Sequence, residues 1–228
     1  MAKKDDEARV IDAFLALLAE HDYAAVSLGM IAGRAGITLG ELRTAFDGKT
    51  AILAAFARSI DRQVLDGIDP QMADETPRER LFDVLMRRID ALVPHKAAIR
   101  TLNRALRADP ALALDWFPIA LRTHLWMLTA AEIDTAGLRG ALAARGAVIA
   151  FGRVVRVWLD DEDPGMARTM AALDRELRRA ESAMRRLDDL ASLTSPFRAV
   201  ARRLCERRPP RSHTRDPDAD APPRPTTH

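Results

Sequence analysis

The sequence predicts an all-α fold, and three observations carry that expectation. Leu, Ala and Arg are abundant while aromatic residues are 5% of the composition, so the chain is rich in good helix formers. Runs of β-branched residues, which strands need, are nearly absent. Apolar residues instead recur every three or four positions along most of the chain. With 228 residues and an apolar fraction of 48%, the protein has enough material to bury a real core.

From about Asp5 to His21, Val10, Ile11, Phe14, Leu17 and Leu18 mark a first helix, which HDYAAV interrupts. Ser27 suits the N-cap of a short second helix ending at Ala35. Gly36 then turns the chain into GITLGELRTAFDGKT, where Thr38 and Glu41 form a capping box for a third helix. A fourth runs from Lys49 towards Leu65 and carries Ile52, Leu53, Phe56 and Ile60. After the linker DGIDPQMADE, Thr76, Pro77 and Glu79 start another helix, striped by Leu81, Leu85 and Ile89 until Pro94. The next ends at Ala108, where Asp109 and Pro110 stop it. An unusually aromatic helix follows, with Leu114, Phe117, Leu121, His124 and Leu128 on one stripe and Pro118 either near its start or kinking it.

Leu138 to Leu159 reads as a helix whose Gly140, Gly146 and Gly152 allow close approach by a neighbour. Beyond it, Met166, Met170, Leu173, Leu177, Ala180, Met184, Leu187 and Ala191 alternate steps of four and three. Such a seam must be buried, either inside the chain or in a homodimer bundle built with the Gly146 helix. After Ser195 and Pro196, Phe197, Val200, Ala201 and Leu204 share one face of a short basic amphipathic helix. The proline-rich stretch from Pro209 is expected to be disordered. The expected organisation is a head at 1–55, a larger helical domain at 56–195, the basic helix at 196–208 and a tail at 209–228.

The start, MAKKDDEARV, has no apolar signal core and no stretch is long enough to span a bilayer, so a cytoplasmic location is expected. Cys205 is the lone cysteine, which excludes an internal disulfide or a multi-cysteine metal site. A formal charge of +2 conceals two opposite regions. Residues 197–228 hold eight arginines against four acids, while residues 1–50 hold six basic side chains against eight acidic ones. An acidic head opposes DNA binding, because phosphate neutralisation supplies most non-specific affinity.

No HExxH, P-loop, GxGxxG or GxSxG pattern occurs, and the five histidines lack ligand spacing. No catalytic residue, metal site or cofactor is expected, and the chain is not read as an enzyme. His124 is either a hydrogen-bonded core histidine or a polar group within a ligand pocket. Trp116, Phe117, Trp126, Met127 and Phe151 pose the same choice between core packing and the lining of an apolar cavity. WLDDEDP, residues 158–164, reads as a solvated interhelical loop, or as an acidic patch that docks a partner.

The first four helices resemble the amino-terminal domain of TetR/AcrR-type transcription regulators over residues 9–55. Ile31, Ala32, Ala35, Gly36, Ile37, Thr38, Gly40, Leu42, Phe46, Lys49 and Leu53 carry the match. The resemblance implies a TetR-like fold: a helix-turn-helix head and a larger helical domain that binds a ligand and dimerises through its last two helices. It implies a ligand-responsive repressor that binds a palindromic DNA operator as a homodimer. Ser27, Arg34, Thr38, Leu39, Gly40, Arg43, Thr44 and Lys49 would then face DNA. Trp116, Phe117, His124, Trp126, Met127 and Phe151 would face the ligand. Gly146, Met166, Met170, Leu173, Leu177 and Met184 would face the second subunit. Arg43 and Ala45 stand where the family usually has an aromatic or histidine residue, and Arg43 can replace the lost phosphate contact.

The stretch VWLDDEDPGMARTMAALDREL, through Asp161, Pro164, Thr169 and Leu173, resembles the TetR-fold accessory proteins of ubiquinone biosynthesis. That resemblance implies an alternative: a lipid-binding protein that presents an isoprenoid to a partner enzyme and touches membranes peripherally through the 197–208 helix. The candidate partners are thus a DNA operator, a small apolar ligand or lipid, a second copy of the chain and a membrane surface.

Overall fold

In the computed structural model, the backbone is described for residues 2–206 and the side chains for residues 6–186. Among the described residues there are nine α-helices, two short 3-10 turns (Pro70–Asp74 and Val93–His95) and no strand. The helices are α1 (Ala2–Glu20), α2 (Leu28–Ala35), α3 (Leu39–Ala45), α4 (Lys49–Asp66), α5 (Pro77–Leu92), α6 (Lys96–Ala108), α7 (Pro110–Ala130), α8 (Gly137–Leu159) and α9 (Ala167–Glu206). Two compact units divide the chain at Met184 and Arg185.

Local chemistry sets the helix ends of the first unit. Ser27 Oγ accepts from the Met30 amide to start α2, and Gly36, at φ +69°, ends it in the left-handed region. There the Ile37 amide reaches back to the Ala32 carbonyl at 3.1 Å. Thr38–Glu41 and Thr76–Glu79 both close as capping boxes, at the heads of α3 and α5. Asp109 caps α7 through the amides of Ala111 and Leu112, and Pro118 lies inside that helix.

Asp161 departs from the sequence reading of a solvated loop. It is buried, and its Oδ2 accepts from the Thr169 amide at 2.9 Å and the Thr169 hydroxyl at 2.7 Å. The hydroxyl bond is the chief reason its carboxyl lies below the usual carboxylate range. Neighbouring Asp163 accepts from the Gly165 and Ala167 amides, so two of the four acids organise the entry to α9.

Apolar residues from Val10 to Leu177 join in one core. α1 packs on α2, α4 and α6, while α4 also packs on α5 and α7, and α8 lies against α7. Gly140 has a strict steric reason: a Cβ there would stand 2.0 Å from the Thr135 carbonyl carbon. Of the two burials open to the α9 seam, Leu173 and Leu177 take the internal one. They are buried in the chain's own core, because a heptad stripe packs equally well on a neighbouring helix of the same chain.

In the second unit, residues 185–206 are helical through Ser195 and Pro196, where the sequence predicts a break. Proline removes one backbone donor and crowds the carbonyl four residues earlier, which bends or weakens a helix at that point without obliging it to end. The apolar face and arginines of the 197–208 segment, the Leu187 and Ala191 end of the seam, Cys205 and the tail at 209–228 lie outside the described side chains.

Between α4, α5 and α7 the core holds a polar network. Asp61 Oδ1 accepts from Arg88 Nη1 at 2.5 Å and its Oδ2 accepts from the Thr123 hydroxyl at 3.1 Å, with all three residues buried. One residue on, His124 sits in the same interior, and burial, reinforced by the Arg88 charge, pushes its imidazole down to about 4.

Gly140→Ala should destabilise the chain by about 2 kcal/mol, since backbone rather than a flexible side chain must move; thermal unfolding checks this, and an unchanged Tm contradicts it. His124 titrates at about 4 when folded and near 6.5 when unfolded. Its contribution is therefore full above pH 6.5 and is lost as pH falls towards 4, on the order of 3 kcal/mol. Denaturant titrations should show the native chain losing that much more stability than His124→Phe over this window.

Candidate functional site

Two regions hold the residues that the sequence singles out: the exposed face of the helix-turn-helix, and a cavity in the larger helical body. At the head, Leu42 and Phe46 are buried, which turns Leu39, Gly40, Arg43 and Thr44 of α3 outward. Leu39 is 59% exposed, an unusual display for leucine.

Most of the predicted DNA contacts already have an internal partner. The Ser27 hydroxyl caps α2, and the Thr38 hydroxyl both accepts from the Glu41 amide and donates to the Glu41 carboxylate. The Thr44 hydroxyl donates to the Gly40 carbonyl at 2.9 Å. Arg34 forms a two-pronged pair with Glu20, at 3.0 and 2.6 Å. Arg43 pairs with Asp47 at 2.5 Å, and both side chains stand well out in solvent. That pair is weak by its exposure, so a phosphate can displace the carboxylate at little cost.

Lys49 is engaged more deeply within the head. Its Nζ donates to the carbonyls of Tyr23 at 2.9 Å and Val26 at 3.0 Å, and it lies 4.2 Å from the Tyr23 ring centre. Desolvation lowers its ammonium below the ordinary lysine value. Lysine 49 thus binds the loop between α1 and α2 to the start of α4, and it is not a free cation for DNA. The sequence gives no hint of this, because the partners are 26 and 23 residues away.

The cavity has a volume of about 250 Å³. Phe56 and Ala57 of α4, Arg88 and Leu92 of α5, Ile99, Leu102, Asn103 and Leu106 of α6, Trp116, Ala120, Thr123 and His124 of α7, and Val148, Phe151, Gly152 and Val155 of α8 line it. Trp116, His124 and Phe151 are therefore brought together as predicted, with His124 edge-on to Phe151 at 5.1 Å. Phe117, Trp126 and Met127 are not. Phe117 and Trp126 are exposed and Met127 is fully buried in the core, because a 100° turn per residue sends these neighbours to other faces of α7. Sequence reasoning missed the α4, α5 and α6 walls, and above all Arg88, whose place depends on its pairing with Asp61.

Of the predicted dimer residues, Gly146 and Met170 are exposed, Met166 and Met184 are half-buried, and Leu173 and Leu177 are internal. Leu138, Leu142 and Ile149 add an exposed apolar stripe along α8 beside Gly146. Asp161 and Thr169, which carry the resemblance to the lipid-binding accessory proteins, are engaged with each other as a helix cap. Among the described residues no helix is long and apolar enough to cross a membrane.

No protein-family model matches the chain. The chain is 29% identical over 188 residues to the HTH-type transcriptional repressor KstR of Rhodococcus jostii, covering 76% of this chain and 78% of that protein. Among solved structures, a TetR transcriptional regulator from Rhodococcus sp. RHA1 superposes with a TM-score of 0.59 at 22% identity, over 79% of this chain and 97% of the other. The TetR transcriptional regulator from Nitrosomonas europaea gives 0.60 at 22% identity, over 77% and 97%. The structural matches establish a TetR-like fold, and over 76% of its length the chain is similar in sequence to a helix-turn-helix transcriptional repressor.

Proposed function

We propose that the chain is a cytoplasmic, ligand-responsive repressor that binds a palindromic DNA operator as a homodimer. The observation that carries this reading is the α3 face. The Thr38–Glu41 box fixes the helix, Leu42 and Phe46 anchor it from below, and Leu39, Gly40 and Arg43 project where a major groove would meet them. The likeness to a helix-turn-helix repressor supports it. Leu39 and Gly40 supply an apolar, close-fitting contact to base edges or thymine methyls, and Arg43 supplies the charge.

In the dimer, the α8 stripe of Leu138, Leu142 and Ile149 packs against its symmetry mate across Gly146, with Met166, Met170 and Met184 of α9 alongside. A Cβ at Gly146 would meet nothing within 4 Å in the single chain, so its open side is available to a partner helix. The 250 Å³ cavity is the ligand site, and occupancy changes how the two heads are spaced.

The test is a salt-titrated fluorescence-anisotropy assay against DNA upstream of the protein's own gene, paired with native mass spectrometry for a co-purifying lipid. Tight sequence-selective binding is expected, and a bound isoprenoid with only weak, unselective DNA binding would sink the reading. Arg43→Ala should weaken binding and lower the salt slope by about one while leaving Tm unchanged. Asp47→Asn should do the reverse, raising affinity severalfold by removing both a repulsive charge and a competing partner. Lys49→Ala should instead lower stability by about 2 kcal/mol, the scale of hydrogen bonds from a charged group; an unchanged Tm would restore Lys49 as a DNA contact. Ile149→Asp should convert the dimer to a monomer on sedimentation, and a dimer that persists places the interface elsewhere.

A further inference from the structure

The cavity carries more information than its size. Two of its polar side chains, Arg88 and Thr123, are both committed to Asp61. His124 is different. It is 4% exposed, its Nδ1 lies 2.7 Å from the Ala120 carbonyl oxygen, and its Nε2 is buried with no partner at all.

A carbonyl oxygen can only accept, so the hydrogen of a neutral ring must sit on Nδ1. Nε2 is left as a bare acceptor. The ring has every reason to stay neutral, because burial and the nearby Arg88 guanidinium both oppose a second proton. A native chain rarely buries such an atom without a use, and what would satisfy it is a donor brought from outside.

We infer that the cavity takes a small, neutral, mostly apolar molecule bearing a hydroxyl, which donates to His124 Nε2 while Phe56, Leu102, Trp116, Phe151 and Val155 enclose the rest. The inference rests on the reading of this cavity as the ligand site. An ionised carboxylate is the wrong partner, since it has no hydrogen to give and Arg88, its natural attractor, is already neutralised by Asp61. A volume of about 250 Å³ falls just below the 300–1,000 Å³ typical of drug-sized sites, so a bicyclic phenol or a medium-chain alcohol is the right scale.

Titration calorimetry of the full chain at pH 7 with 2-naphthol, naphthalene and 2-naphthoate tests this. The three share one ring system and differ in the group offered to Nε2. Naphthol should bind roughly tenfold more tightly than naphthalene, the scale of one buried hydrogen bond, and naphthoate more weakly than either. In His124→Phe the naphthol-to-naphthalene ratio should fall to about one. Nitrogen NMR of the native chain gives a readout independent of the variant's folding: the unprotonated Nε2 resonance should move towards that of a hydrogen-bonded nitrogen when naphthol is added, and stay put with naphthalene. Failure of naphthol to bind, equal or tighter binding of naphthoate, an unmoved Nε2 resonance, or a ratio that persists in His124→Phe would each overturn the inference. None of these readouts involves DNA. A chain that discriminates naphthol as expected but shows no operator binding overturns the regulatory reading alone.

Discussion

The pair between Asp61 and Arg88 is the interaction on which the interior depends. It joins α4 to α5, and through the Thr123 hydroxyl it reaches α7, so three helices meet at a single carboxylate. Removing two charges from water is expensive, and burial pulls the Arg88 guanidinium down against the opposing pull of Asp61. The arrangement is tolerable only because both carboxylate oxygens have donors. Loss of either member would leave an isolated charge in the core, the most damaging of single changes. Its geometry is directional as well: one carboxylate oxygen is used by Arg88 and the other by Thr123.

The same pair sets the character of the cavity beside it. An arginine on the wall of an apolar pocket would ordinarily make it an anion site, but Asp61 cancels that charge from behind. What remains is a mostly apolar, electrically quiet space in which His124 is held neutral and fixed in one tautomer. At the head the balance is opposite. There the ion pairs are exposed, cheap to exchange and few, so the acidic surface can be partly remade by whatever anion approaches Arg43. Charge is locked inside the body and negotiable on α3.

How much of this was legible in the sequence depended on the reach of each interaction. Ser27, Gly36, the Thr38–Glu41 box and the Thr76–Glu79 box act over three or four residues, and the sequence located each of them. The engagement of Lys49 is not legible because its partners are carbonyls of the loop between α1 and α2, and backbone carbonyls leave no mark in a sequence. Asp61 and Arg88 went unnoticed because polar residues 27 apart show no periodicity. The α9 stripe was recognised but not its partner: Leu173 and Leu177 obey the same spacing whether the opposing surface belongs to their own chain or to another. Of the candidate cavity, Trp116, His124 and Phe151 were correctly grouped, while Phe117 and Trp126 show that aromatic richness along a helix does not say which face is inside.

On the proposed function, α4 is the element that makes a ligand and an operator mutually relevant. Phe56 and Ala57 form part of the cavity wall, and Lys49, seven residues before Phe56 on the same helix, holds the Tyr23 and Val26 carbonyls of the head. At 1.5 Å per residue that separation is about 10 Å, spanned by continuous helix. A helix of this length has no soft joint in which a displacement at Phe56 could be absorbed. The end that could absorb it is the contact at Lys49, and there two hydrogen bonds and a ring fix the ammonium in place. On that reading, displacement of α4 by a molecule in the cavity would be passed on to the head. Lysine 49 serves a regulator better in this position than it would as one more phosphate contact on an acidic surface.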